Sequence, residues 1–210
     1  MNPVDPLNSV NPVNPAAAAL VGLAYLLGSV SFAVLLVRMT TGKDIRTEGS
    51  GNAGATNVLR AHGKSLGLLV AALDVAKGAL AVFFVKLVTG DSRYAAAAGF
   101  AAILGHVFPI FYGFRGGKGV ATAVGAFLVL APWATLVCIA VFVLVVLATK
   151  YVSLGSVIAM VLLPPVAGLV FHAPKPVVVA AAGAAILIVL KHRDNLKRLA
   201  SGKERRLGEK

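Results

Sequence analysis

The sequence predicts an all-α polytopic membrane protein of about seven transmembrane helices, N-terminus outside and C-terminus cytoplasmic. Three observations predict this. Of the 210 residues, 58% are hydrophobic and only 13% are charged, about half the charged share of a soluble domain. Mean hydropathy is +0.86, and the apolar residues gather into stretches of roughly membrane-spanning length. The basic residues collect on alternate connections, the asymmetry that orients helices in a bilayer. The bilayer then stands in for a large soluble core, and one membrane domain is the natural count.

Residues 1–15 carry Pro3, Pro6, Pro12 and Pro15 with no lysine or arginine, and read as a disordered lead rather than the basic start of a signal peptide. A single transmembrane helical domain is expected over 16–191. Its first span, 16–37, is followed by Arg38 and a basic, glycine-rich loop. The second, 66–89, contains Asp74 and Lys77, and the third, 93–113, has His106 and Pro109 near its end. A shorter fourth span, 120–131, stops at Pro132; the fifth is 133–149, the sixth 153–171 and the seventh 176–190. A five-span arrangement with re-entrant pieces is the alternative, the fourth span being the weakest. Residues 192–210 form a basic cytoplasmic tail. With seven spans, every basic residue except Lys77, Lys86, Arg93 and Lys175 falls on the cytoplasmic side. That asymmetry accounts for the net charge of +12 without a nucleic-acid partner. It also places two glycine-rich loops and the tail on one face.

The first loop, RTEGSGNAGATNVLR at 46–60, is polar in an apolar chain. Gly49, Gly51 and Gly54 let the backbone come close to a ligand, and successive amides then form a concave anion nest. Ser50, Asn52, Thr56 and Asn57 add neutral donors, and Arg46 and Arg60 add cationic ones. The second loop, GFRGGKG at 113–119, sets Lys118 among Gly116, Gly117 and Gly119. It opens a helix at Val120, whose free N–H groups and dipole favour an anion. Neither loop is a nucleotide-hydrolysing motif. Tyr112 and Gly119 stand where GxxxxGK[ST] needs glycine and a hydroxyl, and Val58 occupies the first glycine position before Gly63–Ser65. A flexible connector and a tight basic turn are the plain alternatives for the two loops.

A third cluster, His192, Arg193, Asp194, Asn195 and Arg198, follows the last span. His192 and Asn195 share a face if the helix continues; basic residues in that position also serve as contacts to anionic lipid. Asp74 and Lys77 lie one turn apart, where intramembrane charges normally pair or face a wet cavity. His106 reads as a satisfied interior histidine. Ser153 stands at the cytoplasmic start of the sixth span, as a helix cap or facing the loops. Cys138 is the lone cysteine and sits in an apolar helix, so no disulfide, metal or redox cofactor is expected.

Taken together, GSGNAGATNVLR (49–60), LDVAKG (73–78), GHVFPIFYGFRGGKGVAT (105–122), SLGS (153–156) and KHRDNLKRLASGKE (191–204) resemble the bacterial acyl-phosphate:glycerol-3-phosphate acyltransferases, small polytopic enzymes of phospholipid synthesis. The likeness runs from about residue 27 to 204. It implies transfer of a fatty acyl group from acyl phosphate to the 1-hydroxyl of glycerol 3-phosphate, giving lysophosphatidic acid and inorganic phosphate. It further implies a cytoplasmic active site in the inner membrane. By that resemblance Arg46, Ser50 and Asn52 serve the first motif, the glycines around Lys118 bind glycerol phosphate, and His192 and Asn195 are essential in the third. Ser31, Lys191 and Asp194 depart from the family's usual proline, arginine and glutamate.

The residues fit that chemistry. Two phosphates need two donor-rich pockets, and the acyl chain can lie among helices or in the bilayer. Acyl phosphate is already activated, so neither nucleotide nor covalent intermediate is required. Lys118, Arg46 and the loop amides are the candidates for charge stabilisation. His192 is either a general base or an orienting group, with the substrate phosphate then taking the proton. No histidine is followed at the spacing of an HxxxxD pair: Gly67, Phe111, Val177 and Lys197 stand at the acid positions, against the usual chemistry of soluble acyl donors. The competing reading is a small phosphate or anion transporter, which would show internal repeats and a midplane site. A third is an assembly factor binding anionic lipid through its tail.

Overall fold

The computed structural model describes residues 14–208, and all the regular elements there are helical. Of the expected disordered lead, residues 1–13 lie outside the described part. Asn14 and Pro15 instead start the first helix, α1 (Pro15–Gly28), where the Asn14 side chain accepts from the amides of Ala16 and Ala17 and Pro15 fills the first helical position. That is the usual division of labour at a helix start.

The expected continuous first span is broken. α1 ends at Gly28 and α2 (Phe32–Thr41) begins after Ser31, whose hydroxyl accepts from the Val34 amide. Lys77 donates to the carbonyl of Val30 inside the break at 2.7 Å, satisfying a backbone oxygen that hydrocarbon could not. A short 3₁₀ turn (Ile45–Thr47) leads through the first glycine loop to α3 (Ala55–His62). α4 (Lys64–Thr89) and α5 (Ser92–Val107) then run down and back.

α6 (Val120–Leu130) corrects the expected fourth span. Its 11 residues reach about 16 Å at 1.5 Å per residue, about half of the hydrocarbon thickness. It is followed by α7 (Pro132–Thr149) and α8 (Val152–Pro165). Pro164 and Pro165 have no N–H to give, and α8 widens after them into one π turn, Val166–Val170. α9 (Lys175–Lys191) rises again and meets α10 (Arg193–Ala200) at a 57° bend.

Among the described residues five helical segments, counting α1 with α2, are long and apolar enough to cross a membrane, or up to six if α9 and α10 count as one. The expected number of about seven is therefore too high by that measure. α6 stays outside that count as a shorter apolar helix.

Small residues let the helices approach closely. A Cβ on Gly78 would meet the carbonyl of Thr122, and one on Gly125 would meet that of Val75, so α4 and α6 interlock through reciprocal glycines. Gly28 and Gly105 do the same for α1 and α5, against Ala102 and Tyr25. Such close backbone packing replaces the hydrophobic drive that lipid removes. Gly125→Ala is accordingly expected to destabilise by about 3 kcal/mol, measured as thermal unfolding of the detergent-solubilised protein. Gly22→Ala, where an added Cβ meets nothing within 4 Å, should leave stability unchanged or slightly raised. Equal effects at the two positions would overturn the interlock.

Candidate functional site

One end of the bundle opens into a cavity of about 780 Å³. Its mouth is polar and is built from the first glycine loop, α3, the start of α6, the start of α8 and α10. Its depth is apolar, lined by Val124 of α6, Cys138, Ile139 and Phe142 of α7, and Ala159, Met160 and Leu163 of α8. The α7 and α8 residues recur at helical spacing, so two antiparallel helices each turn one apolar stripe into the same groove.

The first loop is shaped from within. Gly49 and Gly51 take left-handed conformations at φ +59° and +70°, which an L-residue adopts at a cost. The buried Asn57 ties the loop to itself. Its Oδ1 accepts from the Ser50 amide at 2.9 Å, and its Nδ2 donates to the carbonyls of Ile45 and Glu48 at 3.2 and 3.0 Å. Ser50, Gly51, Asn52, Gly54, Thr56 and Asn57 all line the cavity, whereas Gly49 packs behind it against Asn57.

Arg46 points elsewhere. Its guanidinium grips Asp44 at 2.7 Å and donates to the Tyr112 carbonyl at 2.8 Å, bracing the first loop against the approach to the second. Those contacts hold the Asp44 carboxyl well below the usual carboxylate range. The expectation that Arg46 meets substrate is therefore at odds with its position outside the cavity lining.

In the second loop Gly116 and Gly117 press on the end of α5. Gly117 donates to the His106 carbonyl at 3.1 Å, and a Cβ on either glycine would strike His106. They permit close approach and do not line the cavity, while Lys118 and Gly119 do. Gly119, at φ +88°, caps α6 and directs that helix N-terminus at the cavity, as Gly54 directs α3. Two helix N-termini and one lysine thus converge on the mouth, a favourable environment for phosphate.

Lys118 donates to Oδ1 of Asn195. The Asn195 Nδ2 donates to Glu204 Oε1 at 2.6 Å, Ser153 donates to the same oxygen at 2.8 Å, and Arg198 donates to Oε2 at 2.8 Å. The expected tail is therefore an ordered strap, folded back over the cavity, with residues 209–210 outside the described part. The Arg205 carbonyl accepts from Arg60, and the Leu207 amide donates to the Lys150 carbonyl at 2.7 Å. Glu204, only 7% exposed, was not singled out from the sequence. Its signal is faint: one acid amid Lys203, Arg205 and Arg206, following Gly202 at φ +69°.

Burial pushes the Lys118 ammonium down to about 8, with Glu204 opposing and Arg198 and Arg60 reinforcing. For Glu204, burial opposes ionisation, but the bonds from Asn195, Ser153 and Arg198 outweigh it and keep the carboxyl low. His192 caps the top of α9. Burial and the neighbouring Lys118 charge bring its imidazole down to about 4, so it is neutral at physiological pH. Its Nδ1 lies 2.8 Å from the Ile188 carbonyl. A carbonyl only accepts, so Nδ1 carries the hydrogen and Nε2 keeps a lone pair.

Beneath the loops, Asp74, Lys77 and His106 form a buried cluster. The expected Asp74–Lys77 pair is present at 2.8 Å. Among the described residues, no three histidine, cysteine, aspartate or glutamate side chains form a metal-holding group.

The family model described as "Glycerol-3-phosphate acyltransferase" matches residues 18–202. The glycerol-3-phosphate acyltransferase of Shouchella clausii is 48% identical over 192 residues, covering 89% of this chain and 93% of that protein. That of Anaeromyxobacter dehalogenans is 43% identical over 195 residues, covering 90% and 96%. Among solved structures, PlsY (YgiH), an integral membrane glycerol 3-phosphate acyltransferase, superposes in its glycerol 3-phosphate form with a TM-score of 0.87. It has 41% identity, over 92% of this chain and 96% of that one. Its lysophosphatidic acid form superposes with a TM-score of 0.85 at 39% identity over the same shares.

Proposed function

The chain belongs to the glycerol-3-phosphate acyltransferase family, and on that premise we propose that its cavity joins acyl phosphate to the 1-hydroxyl of glycerol 3-phosphate. The observation that carries the reading is the union, in one cavity, of a donor-rich mouth with an apolar groove between α6, α7 and α8. Both phosphates are anchored at the mouth by the loop amides, Ser50, Asn52, Thr56 and Lys118. The fatty chain lies in the groove.

The hydroxyl oxygen attacks the acyl carbonyl carbon, a carbon–oxygen ester bond forms, and the carbon–oxygen bond to phosphate breaks. Lys118 and the helix N-termini stabilise the charge that develops on the carbonyl and the leaving phosphate. His192, with its Nε2 lone pair available, accepts a hydrogen bond from the attacking hydroxyl and orients it. The proton goes to a substrate phosphate, a phosphomonoester dianion that protonates near pH 6, while burial and the Lys118 charge disfavour a protonated His192. Asn195 and Ser153 act from the strap network, and Arg46, Gly49, Asn57, Gly116 and Gly117 shape the loops.

We place the loop-bearing end on the cytoplasmic face of a bacterial inner membrane, with the N-terminus outside. The charge asymmetry supports this, since Arg60, Lys118, Lys150, Lys191 and Arg198 gather at that end. The transporter alternative would put the polar site near mid-membrane, and here it sits at one end.

A donor-swap assay tests the reading. Purified protein in detergent or lipidic mesophase receives labelled glycerol 3-phosphate with acyl phosphate, acyl-CoA or acyl-carrier protein. Lysophosphatidic acid and phosphate released with acyl phosphate alone are expected. Product from another donor would overturn the donor assignment, and no product from a folded protein would overturn the enzyme.

A further inference from the structure

An ammonium has three N–H donors and no acceptor. Lys77 Nζ, on a side chain from a residue only 2% exposed, meets three acceptors. They are the Val30 carbonyl at 2.7 Å, Asp74 Oδ1 at 2.8 Å and His106 Nδ1 at 3.0 Å. The Asp74 oxygen is held by charge rather than by an aligned hydrogen bond. His106 Nδ1 has two neighbours, the Lys77 ammonium at 3.0 Å and Asp74 Oδ1 at 3.5 Å; the nearer can only donate, so Nδ1 accepts with its lone pair, and in the neutral ring the hydrogen is then on Nε2.

That nitrogen sits where the two glycine loops meet. A Cβ on Gly117 would collide with His106 Nε2 and stand 2.9 Å from the carbonyl of Ala53 in the first loop. His106 and Asp74 both line the cavity. The result is a donor nitrogen beneath the phosphate-binding mouth whose hydrogen is fixed by a buried lysine. His192 has the opposite arrangement, with an acceptor nitrogen available.

We propose that His106 is a binding residue whose Nε2–H donates to a substrate phosphate oxygen, with Lys77 and Asp74 as the positioning residues that keep the hydrogen there. This rests on the function proposed above. Either phosphate, that of glycerol 3-phosphate or that of the acyl donor, presents the same acceptor chemistry.

The test compares His106→Gln with His106→Asn. Glutamine can place an N–H near the Nε2 position. Asparagine retains an acceptor for Lys77 but has no donor at that reach. With both substrates varied, His106→Asn is expected to raise KM for one of them by about 10- to 100-fold, the worth of one hydrogen bond to a charged group. kcat should change little, and His106→Gln should recover most of the affinity. The substrate whose KM moves is the one bound.

Equal behaviour of the two variants, or a fall in kcat with both KM values unchanged, would assign His106 to loop support and overturn the proposal. The wild-type protein provides a second measurement that needs neither variant folding nor turnover. In ¹⁵N-histidine NMR, the His106 ring should be hydrogen-bearing at Nε2, and that resonance should move on adding glycerol 3-phosphate or an acyl phosphate. A hydrogen on Nδ1, or no movement with either ligand, overturns the proposal. A resonance that moves in a protein inert with every acyl donor would sustain the binding site while sinking the acyl-transfer reading.

Discussion

Lys118→Ala is expected to lower kcat/KM for acyl transfer by about 10²- to 10³-fold, the loss that follows removal of one preorganised donor from a developing oxyanion. Lys118 is half-buried, supplies a full charge, and is steered by Asn195, which is itself fixed by Glu204. Arg60 and Arg198 also line the cavity but are engaged with the Arg205 carbonyl and Glu204, so the substitution keeps the shape of the site and removes the cation that Asn195 steers. Lys118→Arg restores charge, but its planar fork does not reproduce the single bond to Asn195, so partial recovery is expected. A Lys118→Ala enzyme retaining more than about one-tenth of wild-type kcat/KM would remove the lysine from the mechanism.

The same residue sets an alkaline limb. Burial brings its ammonium down to about 8, and the charged form is the useful one, so kcat/KM, which reports the free enzyme, should fall as pH rises through 8. A bound phosphate favours the ammonium, and the limb in kcat, which reports the complex, should therefore lie at higher pH. His192, at about 4, remains neutral throughout that range. A profile of kcat/KM that stays flat well above pH 8 would contradict the assignment.

The sequence revealed the site by chemistry more readily than by geometry. Lys118, His192 and the two glycine loops stand out in the sequence because polar residues are expensive in an apolar chain, and the fold brings Lys118, Gly119, His192 and most of the first loop to one cavity. Asp74 and Lys77 were legible as a pair because their spacing is one helical turn. Arg46 is engaged by Asp44, which stands just outside the motif and takes the guanidinium through a turn that composition does not reveal. The break at Ser29–Ser31 was invisible to hydropathy, which stays high across it, and its compensation comes from Lys77 on a different helix. α6 looked like a span because it is wholly apolar, but length decides crossing, and Pro132 ends it early. Glu204 was out of reach for a further reason: its burial depends on the strap turning back over the cavity, a long-range contact with no local pattern.

Glu204 is therefore the place where the fold adds most to the reading, and Glu204→Ala is expected to lower kcat/KM by about 10²-fold. The carboxylate lines the cavity mouth but is taken up by neighbouring donors. It receives Ser153 from α8, Asn195 and Arg198 from α10, and through Asn195 it fixes the oxygen that holds Lys118. Removing it leaves two buried donors without an acceptor and frees the amide of Asn195 to turn. Since both losses run through one network, Asn195→Ala in the Glu204→Ala background should cost far less than it does alone. Independent, additive effects in that double-mutant cycle would show that the strap and Lys118 act separately. The carboxyl is held below the ordinary glutamate range. Its stabilising contribution is thus full above that range and is lost only as pH falls through the lower folded value. Acid unfolding should accordingly begin at higher pH with Glu204→Ala than with the wild type only if other carboxylates carry the transition. If the strap itself is the acid-labile element, the variant should lose the acid transition that the wild type shows, which separates the strap from the buried Asp74–Lys77 pair as the group that fails first.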